Sequence, residues 1–278
     1  MLIRPIPSSG ESLPVIGVGT WERFDVTTKD PRRVALTQVL DALFAGGGRL
    51  IDTSPMYGKA EALVGSLLAE RPPSSEEGQA KLFVATKVWT TGKKEGIAQM
   101  EQSFKLLGVK QLDLMQVHNL VDWRTHLDTL KGWKAEGRVR YLGITHYTDS
   151  AHDELEKVMR AADWDFVQLN YSLEDRAAEA RLLPLAAEKG MAVIVNRPFG
   201  GGGLIRKLRK TPLPEWAGGA GCTSWAALLL KFILANPAVN CVIPGTGEPK
   251  HMQEILEAGT GSLPDPTTLK HMHGLAKD

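Results

Sequence analysis

Apolar and polar positions follow two rhythms along the chain, and the rhythms alternate. Short runs that are apolar at nearly every position begin near Val15 (VIGVGT), Leu50 (LID), Leu82 (LFVATK), Leu112 (LDLMQVH), Val139 (VRYLGIT), Phe166 (FVQLN), Ala192 (AVIVN) and Asn240 (NCVIP). Such runs read as strands, and their near-continuous apolarity reads as burial on both faces. Between them, apolar residues spaced by three and four predict helices over 30–45, 59–70, 93–107, 122–136, 150–162, 177–189, 224–235 and 249–258. Asp30-Pro31 reads as a cap with proline at the first helical position. Gly108, Gly137 and Gly190 each stand just past a helix end. Ahead of all this, 2–7 and 12–15 flank Ser8-Ser9-Gly10-Glu11, which predicts a short hairpin.

Most strand starts are about 25–35 residues apart, the length of one strand–helix unit. Eight such units predict an α/β fold, a parallel (β/α)8 TIM barrel with an N-terminal β-hairpin, as one domain over residues 1–278. The rival is a doubly wound open sheet. Gly17-Val18-Gly19-Thr20-Trp21 weakens it, because a third glycine is missing and no helix follows directly. The interval after the seventh strand carries an extra stretch, Gly200 to Gly221, with the basic run Arg206-Lys207-Leu208-Arg209-Lys210. It reads as a long functional or mobile loop.

Composition narrows the partners. Of 278 residues 43% are hydrophobic and 23% charged, and the net charge of +1 gives no sequence-wide attraction to nucleic acid or an anionic membrane. No apolar run reaches the roughly 18 residues of a membrane span. The start, Met1-Leu2-Ile3-Arg4-Pro5, lacks a signal-peptide core. Cys222 and Cys241 make no metal motif and read as two buried thiols of a cytoplasmic protein. A closed barrel leaves no sheet edge, so a monomer is expected.

In such a barrel the chemistry gathers at the carboxyl ends of the strands. The polar residues there are Thr20, Asp52, Lys87, His118, Thr145, Asn170, Asn196 and Gly245-Thr246. Leu50-Ile51-Asp52-Thr53-Ser54-Pro55-Met56-Tyr57-Gly58 organises them. Proline ends the strand at Ser54-Pro55, which leaves Asp52 at a strand end and Tyr57 in the following loop. Together these groups suit one reaction, the protonation of a carbonyl oxygen as hydride reaches its carbon. Tyrosine, with a pKa of about 10, is a poor acid at neutral pH. An ammonium at Lys87 would lower that value, and Asp52 would keep Lys87 charged. A neutral His118 would donate a hydrogen bond to the substrate oxygen. Each residue alone has an ordinary structural reading, as ion pair, satisfied polar group or loop anchor. Their conjunction at strands two, three and four is far rarer.

These residues make the chain resemble the aldo-keto reductases, over nearly its whole length to Pro249. The motifs are Gly48-Arg49 leading into Leu50–Gly58, Ala85-Thr86-Lys87, and Asp113-Leu114-Met115-Gln116-Val117-His118. The resemblance implies the barrel, a nicotinamide cofactor held in extended form, and the roles above for Asp52, Tyr57, Lys87 and His118. It implies cofactor contacts at Gly19, Thr20, Trp21 and Asp52, and carboxamide contacts at Gln168 and at Thr145-His146, where the family usually has Ser-Asn. Asn196 stands where many members stack an aromatic ring on the nicotinamide. Arg197, Pro198 and Phe199, with the glycine-rich Gly200–Leu204, match the stretch that wraps the pyrophosphate, with backbone donors doing the work. After the eighth strand, Pro244, Gly245, Thr246 and Gly247 lead to a helix carrying His251 and Glu254. Glu254 matches an adenine contact. Gly245 and His251 replace the lysine and arginine that clamp the 2′-phosphate of NADP. Thr246, the Gly247 backbone and the helix start at Pro249-Lys250 can still bind an anion. NADPH is therefore the expected cofactor, with NADH as the alternative.

Trp21, Met56, Trp89, His118 and Asn119 are expected to face the carbonyl of a small-molecule substrate, and Trp123 to pack beneath the following helix. His271 and His273 read as a solvated tail helix, so no metal is expected. The reading is an NAD(P)H-dependent oxidoreductase that reduces an aldehyde or ketone to an alcohol. A non-catalytic, nicotinamide-sensing subunit on the same barrel is the alternative. A lyase or epimerase with Lys87 as Schiff base is a weaker one, because Asp52 would hold that lysine cationic.

Overall fold

The computed structural model describes residues 1–71 and 82–276. Residues 72–81 and 277–278, part of the expected 1–278 domain, lie outside the described residues. The chain opens with an antiparallel hairpin, β1 (Ile3–Pro5) and β2 (Ser12–Pro14), in the register Ile3–Pro14. Strands and helices then alternate: β3 (Gly17–Gly19), α1 (Arg33–Ala45), β4 (Leu50–Asp52), α2 (Ala60–Ala69), β5 (Phe83–Val88), α3 (Lys93–Leu107), β6 (Leu112–His118) and α4 (Trp123–Ala135). They continue with β7 (Val139–Thr145), α5 (His152–Ala161), β8 (Phe166–Asn170), α6 (Leu182–Glu188), β9 (Ala192–Asn196), α7 (Gly203–Leu208), α8 (Glu215–Gly219), α9 (Trp225–Ala235), β10 (Val239–Val242), α10 (Pro249–Glu257) and α11 (Pro266–Gly274).

Strands β3 to β10 form one parallel sheet in sequence order. A parallel bridge between Ile16 and Val242, with Val242 N–H donating to the Val15 carbonyl at 2.9 Å, joins its first strand to its last. Side chains alternate between the helix-facing outside and the barrel interior. Outward residues such as Met115, Val117, Ile144, Val167 and Val193 pack against the helices in the larger core. Inward residues make a second core of Leu50, Phe83, Leu114, Tyr141, Phe166, Ile194 and their neighbours, into which the hairpin region inserts Ile6 and Leu13. Each such side chain, fully buried, stabilises the fold by about 1.5–3 kcal/mol. This apolar plug fills one end of the barrel, so the inward polar residues are confined to the other.

The helices differ from the sequence pattern in three places. Helix α1 starts at Arg33 because the Asp30 carboxylate accepts the Arg32 N–H at 2.9 Å and closes a turn first. The helix expected over 177–189 is divided into a short 3₁₀ turn and α6. Pro184 lacks an N–H and crowds the carbonyl four residues earlier, so an α-helix cannot run through to it. The stretch 200–221 is not a bare loop. It folds α7 and α8 against α9, with Leu208, Ala217 and Ala220 buried and Lys231 Nζ donating to the Ala220 carbonyl at 2.6 Å.

The tail helix α11 is docked rather than solvated: Met272 is buried, and the rings of His271 and His273 lie 5.6 and 5.4 Å from those of Trp216 and Phe232. Gly108 does end α3 with a left-handed φ of 69°. Trp123 is buried with its ring 6.4 Å from that of Trp164. Both cysteines are buried free thiols. Among the described residues no helix is long and apolar enough to cross a membrane.

Candidate active site

Register assembles the polar layer. Pairing sets Gly19 beside Asp52, Lys87 beside Gln116, Gln116 beside Gly143, His118 beside Thr145, Thr145 beside Gln168, and Asn170 beside Asn196. Lys87 is fully buried, and its Nζ donates to Asp52 Oδ2 at 2.5 Å and to the Thr53 carbonyl at 2.8 Å. The ammonium stands 5.0 Å from the centroid of the Tyr57 ring. Burial alone would lower the Lys87 ammonium. Asp52 and Tyr57 more than offset that and hold it above its ordinary value, so it stays charged.

The Tyr57 phenol departs from the sequence expectation. Its burial pushes it above the ordinary tyrosine value. Lys87 pulls it down and Asp52 pushes it up, and the net direction is upward rather than the lowering expected from Lys87 alone. Tyr57 is therefore protonated at neutral pH, with a cation beside it to stabilise the phenolate once its proton has left.

His118 lies edge-on to Tyr57 with ring centroids 5.8 Å apart. Its imidazole is held down to about 2, first by burial and then by Lys87 and His146, so it is neutral. Ser54 Oγ hydrogen-bonds His118 Nδ1 at 3.0 Å and accepts the Met56 N–H at 3.3 Å. The Ser54 hydroxyl can donate to Nδ1, and in that tautomer the ring proton is on Nε2. The pair can thus offer two donors, a phenol and a neutral imidazole N–H.

A cavity of about 630 Å³ opens over this layer. It is lined by Gly19, Thr20, Trp21, Asp52, Met56, Tyr57, His118, Asn119, Thr145, Gln168, Asn196, Arg197, Pro198, Phe199, Gly200, Pro244 and Gly245 among the expected residues. Lys87 sits behind the wall. Trp89, expected to face the carbonyl, is half-exposed and lies off the lining, its ring 6.4 Å from that of His118. Six expected cofactor residues lie off the lining. Leu204 is buried in the outer core. His146 stacks on Tyr147 at 5.4 Å instead of facing the cavity. Thr246 Oγ1 caps the turn by accepting the Glu248 N–H at 3.1 Å, and Gly247 lies in that turn. His251 and Glu254 lie on α10, where Glu254 pairs with Arg209 at 3.1 Å.

The structure adds lining residues that the sequence reading missed, among them Glu22, Arg23, Tyr147, Arg206 and Ile243. It also adds Gln116, which donates to Asp52 Oδ1 at 3.0 Å. Its signal was present: Gln116 is two residues before His118 in a strand and therefore shares its face. Glu22, Asn119, Leu120, Asp122 and Arg197 are the non-glycine residues of positive φ among those described, and all follow strands at this end of the barrel. Backbone strain of that kind collects at functional sites.

The cavity fits a nicotinamide cofactor by an observation of its own. Asn196 donates its amide to the His146 carbonyl at 3.0 Å and to Gln168 Oε1 at 3.3 Å, but its Oδ1 is buried without a partner. That oxygen and Gln168 Oε1 are neighbouring acceptors at the cavity wall, suited to a primary amide N–H. Arg197 and Arg206 give the same cavity charged donors for phosphate, while the Gly200 and Gly202 N–H groups donate to the Arg197 and Phe199 carbonyls at 2.8 and 2.7 Å. Among the described residues no cluster could hold a metal ion.

The family described as the aldo/keto reductase family matches residues 15–267. An aldo-keto reductase of Mycobacterium sp. (strain KMS) is 26% identical over 252 residues, covering 88% of this chain and 83% of that protein. An NADH-specific methylglyoxal reductase of Escherichia coli (strain K12) is 25% identical over 245 residues, covering 77% and 72%. The crystal structure of an aldo-keto reductase from Klebsiella pneumoniae in complex with NADPH superimposes with a TM-score of 0.80 at 23% identity, covering 99% of this chain and 96% of that one.

Proposed function

The chain belongs to the aldo/keto reductase family, and on that premise we propose that it is an NAD(P)H-dependent carbonyl reductase with Tyr57 as proton donor. The observation that carries the proposal is the buried pair of Lys87 and Asp52 set behind a protonated Tyr57 and a neutral His118 at one end of the cavity. When bound, the reduced nicotinamide supplies the hydride. The chain's own residues manage the proton and the orientation. Trp21 and Met56 at the mouth exclude water and hold the apolar part of the substrate. His118 Nε2–H and the Tyr57 hydroxyl hold the carbonyl oxygen and fix which atom faces the cofactor. Tyr57 then gives its proton to that oxygen, and the phenolate left behind is stabilised by Lys87. Asp52 keeps Lys87 charged without competing for the substrate.

Thr145, Gln168 and Asn196 would hold the carboxamide, and the Arg197–Gly202 stretch with Arg206 the pyrophosphate. NADPH is the cofactor of this reading. Gly245 carries no charge for a 2′-phosphate, so discrimination against NADH is weak, in keeping with the NADH-specific relative. The cavity must hold the nicotinamide end as well as the substrate, which leaves room for a small aldehyde, ketone or dicarbonyl. Titration of tryptophan fluorescence with NADPH and NADH, followed by cofactor oxidation with methylglyoxal and aromatic aldehydes, tests the reading. Binding with turnover supports it; absence of both for either cofactor refutes it.

A further inference from the structure

We propose that Gln116, which never reaches the cavity, is a positioning residue of the proton-donating centre: it locks Asp52 and Gln168 together and so sets how much of the Lys87 charge is left to act on Tyr57. The inference rests on the reading of Tyr57 as proton donor. Three side chains form a closed triangle. Gln116 Nε2 donates to Asp52 Oδ1 at 3.0 Å, Gln168 Nε2 donates to the same oxygen at 2.8 Å, and Gln168 Nε2 also donates to Gln116 Oε1 at 3.1 Å. All three are buried, with Gln116 fully so.

The arrangement is built into the barrel wall. Gln116 pairs in register with Gly143 on β7. A Cβ on residue 143 would lie 3.0 Å from Gln116 Cγ, 3.1 Å from Leu114 Cδ1 and 3.2 Å from Phe166 Cβ. A Cβ there would press on the Gln116 side chain, so the glycine leaves its amide the most room to lie across the barrel toward Asp52.

Two consequences follow. First, both Gln168 amide protons are engaged by the triangle, so Gln168 has only Oε1, which accepts from Thr145 Oγ1 and Asn196 Nδ2 at 3.3 Å each, for any further contact and only as an acceptor. Second, Asp52 divides its charge. Oδ2 faces Lys87, while Oδ1 is met by the positive ends of two amides. Those amides oppose the push that Asp52 exerts on the Tyr57 phenol. Removing one leaves more uncompensated negative charge beside Lys87 in a low-dielectric interior, and the phenolate becomes harder to form.

The test is the pH profile of alcohol oxidation, in which Tyr57 must first lose its proton, measured for the wild type and Gln116→Met. Methionine matches the volume and offers no amide donor. Below the plateau the logarithm of the rate rises with pH. The expected result is a parallel displacement of that line by about half a unit or more toward alkaline pH, about threefold slower oxidation at each pH. Gln116→Glu, which adds charge, displaces it further in the same direction. Should Gln116→Met not fold, Gly143→Ala keeps the amide but crowds it away, and carries the same expectation. Lines that coincide for folded variants that bind cofactor overturn the proposal and assign Gln116 to packing. A wild type that neither binds a nicotinamide cofactor nor reduces it with an alcohol overturns the underlying reading of the site instead.

Discussion

Lys87 Nζ stands 2.5 Å from Asp52 Oδ2, and the side chains are 0% and 2% exposed. Their environments are unequal. Asp52 retains two amide donors if Lys87 is removed, whereas Lys87 retains the Thr53 carbonyl and the Tyr57 phenol if Asp52 loses its charge. Breaking a buried pair costs about 3–5 kcal/mol when the remaining charge is uncompensated. Asp52→Asn is therefore expected near that range and Lys87→Met at about 1–3 kcal/mol. Urea unfolding of both variants checks this. Equal losses would mean that the two amides do not support Asp52.

The neutral His118 makes stability depend on acid. Burial and Lys87 hold its imidazole at about 2 in the fold, against 6.5 unperturbed. Its contribution is fully present above pH 6.5 and is lost as pH falls toward 2, because the unfolded chain binds the extra proton over that window. At pH 4 the loss from this one group is about 3 kcal/mol. His118→Gln should flatten the fall of the melting temperature between pH 6 and pH 4. A fall of the same steepness in the variant would assign the acid sensitivity to other groups.

The fold was legible because parallel strands are buried on both faces and read as apolar runs, as at Met115, Val117, Ile144 and Val193. The strand ends carrying Asp52, Lys87 and His118 were legible for the same reason, since period two fixes which residues point inward. What escaped the sequence depends on depth and on neighbours far along the chain. Lys87 could be read as a cation near Tyr57, but not that burial of the phenol outweighs it. Gln116 sits in an apolar strand and acquires its partners 64 and 52 residues away. His146 was placed on the carboxamide by position, and in the fold its ring turns onto Tyr147. The glycine-rich 200–221 stretch concealed two short helices because their burial comes from α9, not from their own pattern.

On the proposed reading, cofactor choice would turn on the 2′-phosphate contacts near Gly245 and α10. Gly245 adds no charge, and its Cβ would lie 3.2 Å from the Gly19 carbonyl oxygen, so a long cation is poorly accommodated there. His251 is the better position to change. His251→Arg is expected to tighten NADPH about tenfold and leave NADH unchanged, because only NADPH has the 2′-phosphate. Paired fluorescence titrations decide it, and an equal effect on both cofactors would place the phosphate elsewhere.

A phenol held above its ordinary value of 10.0 favours reduction at neutral pH. Aldehyde reduction should be nearly level from pH 6 to pH 8. Alcohol oxidation should still be rising at the most alkaline pH the fold withstands. An oxidation rate that levels off near pH 7 would contradict a raised Tyr57.

The most direct test compares Tyr57→Phe with the wild type in NADPH-dependent reduction of a small aldehyde, with cofactor affinity read from tryptophan fluorescence in both. Loss of turnover by at least about 100-fold, with affinity unchanged, is the expected result. Undiminished turnover in the folded variant would contradict Tyr57 as the proton donor.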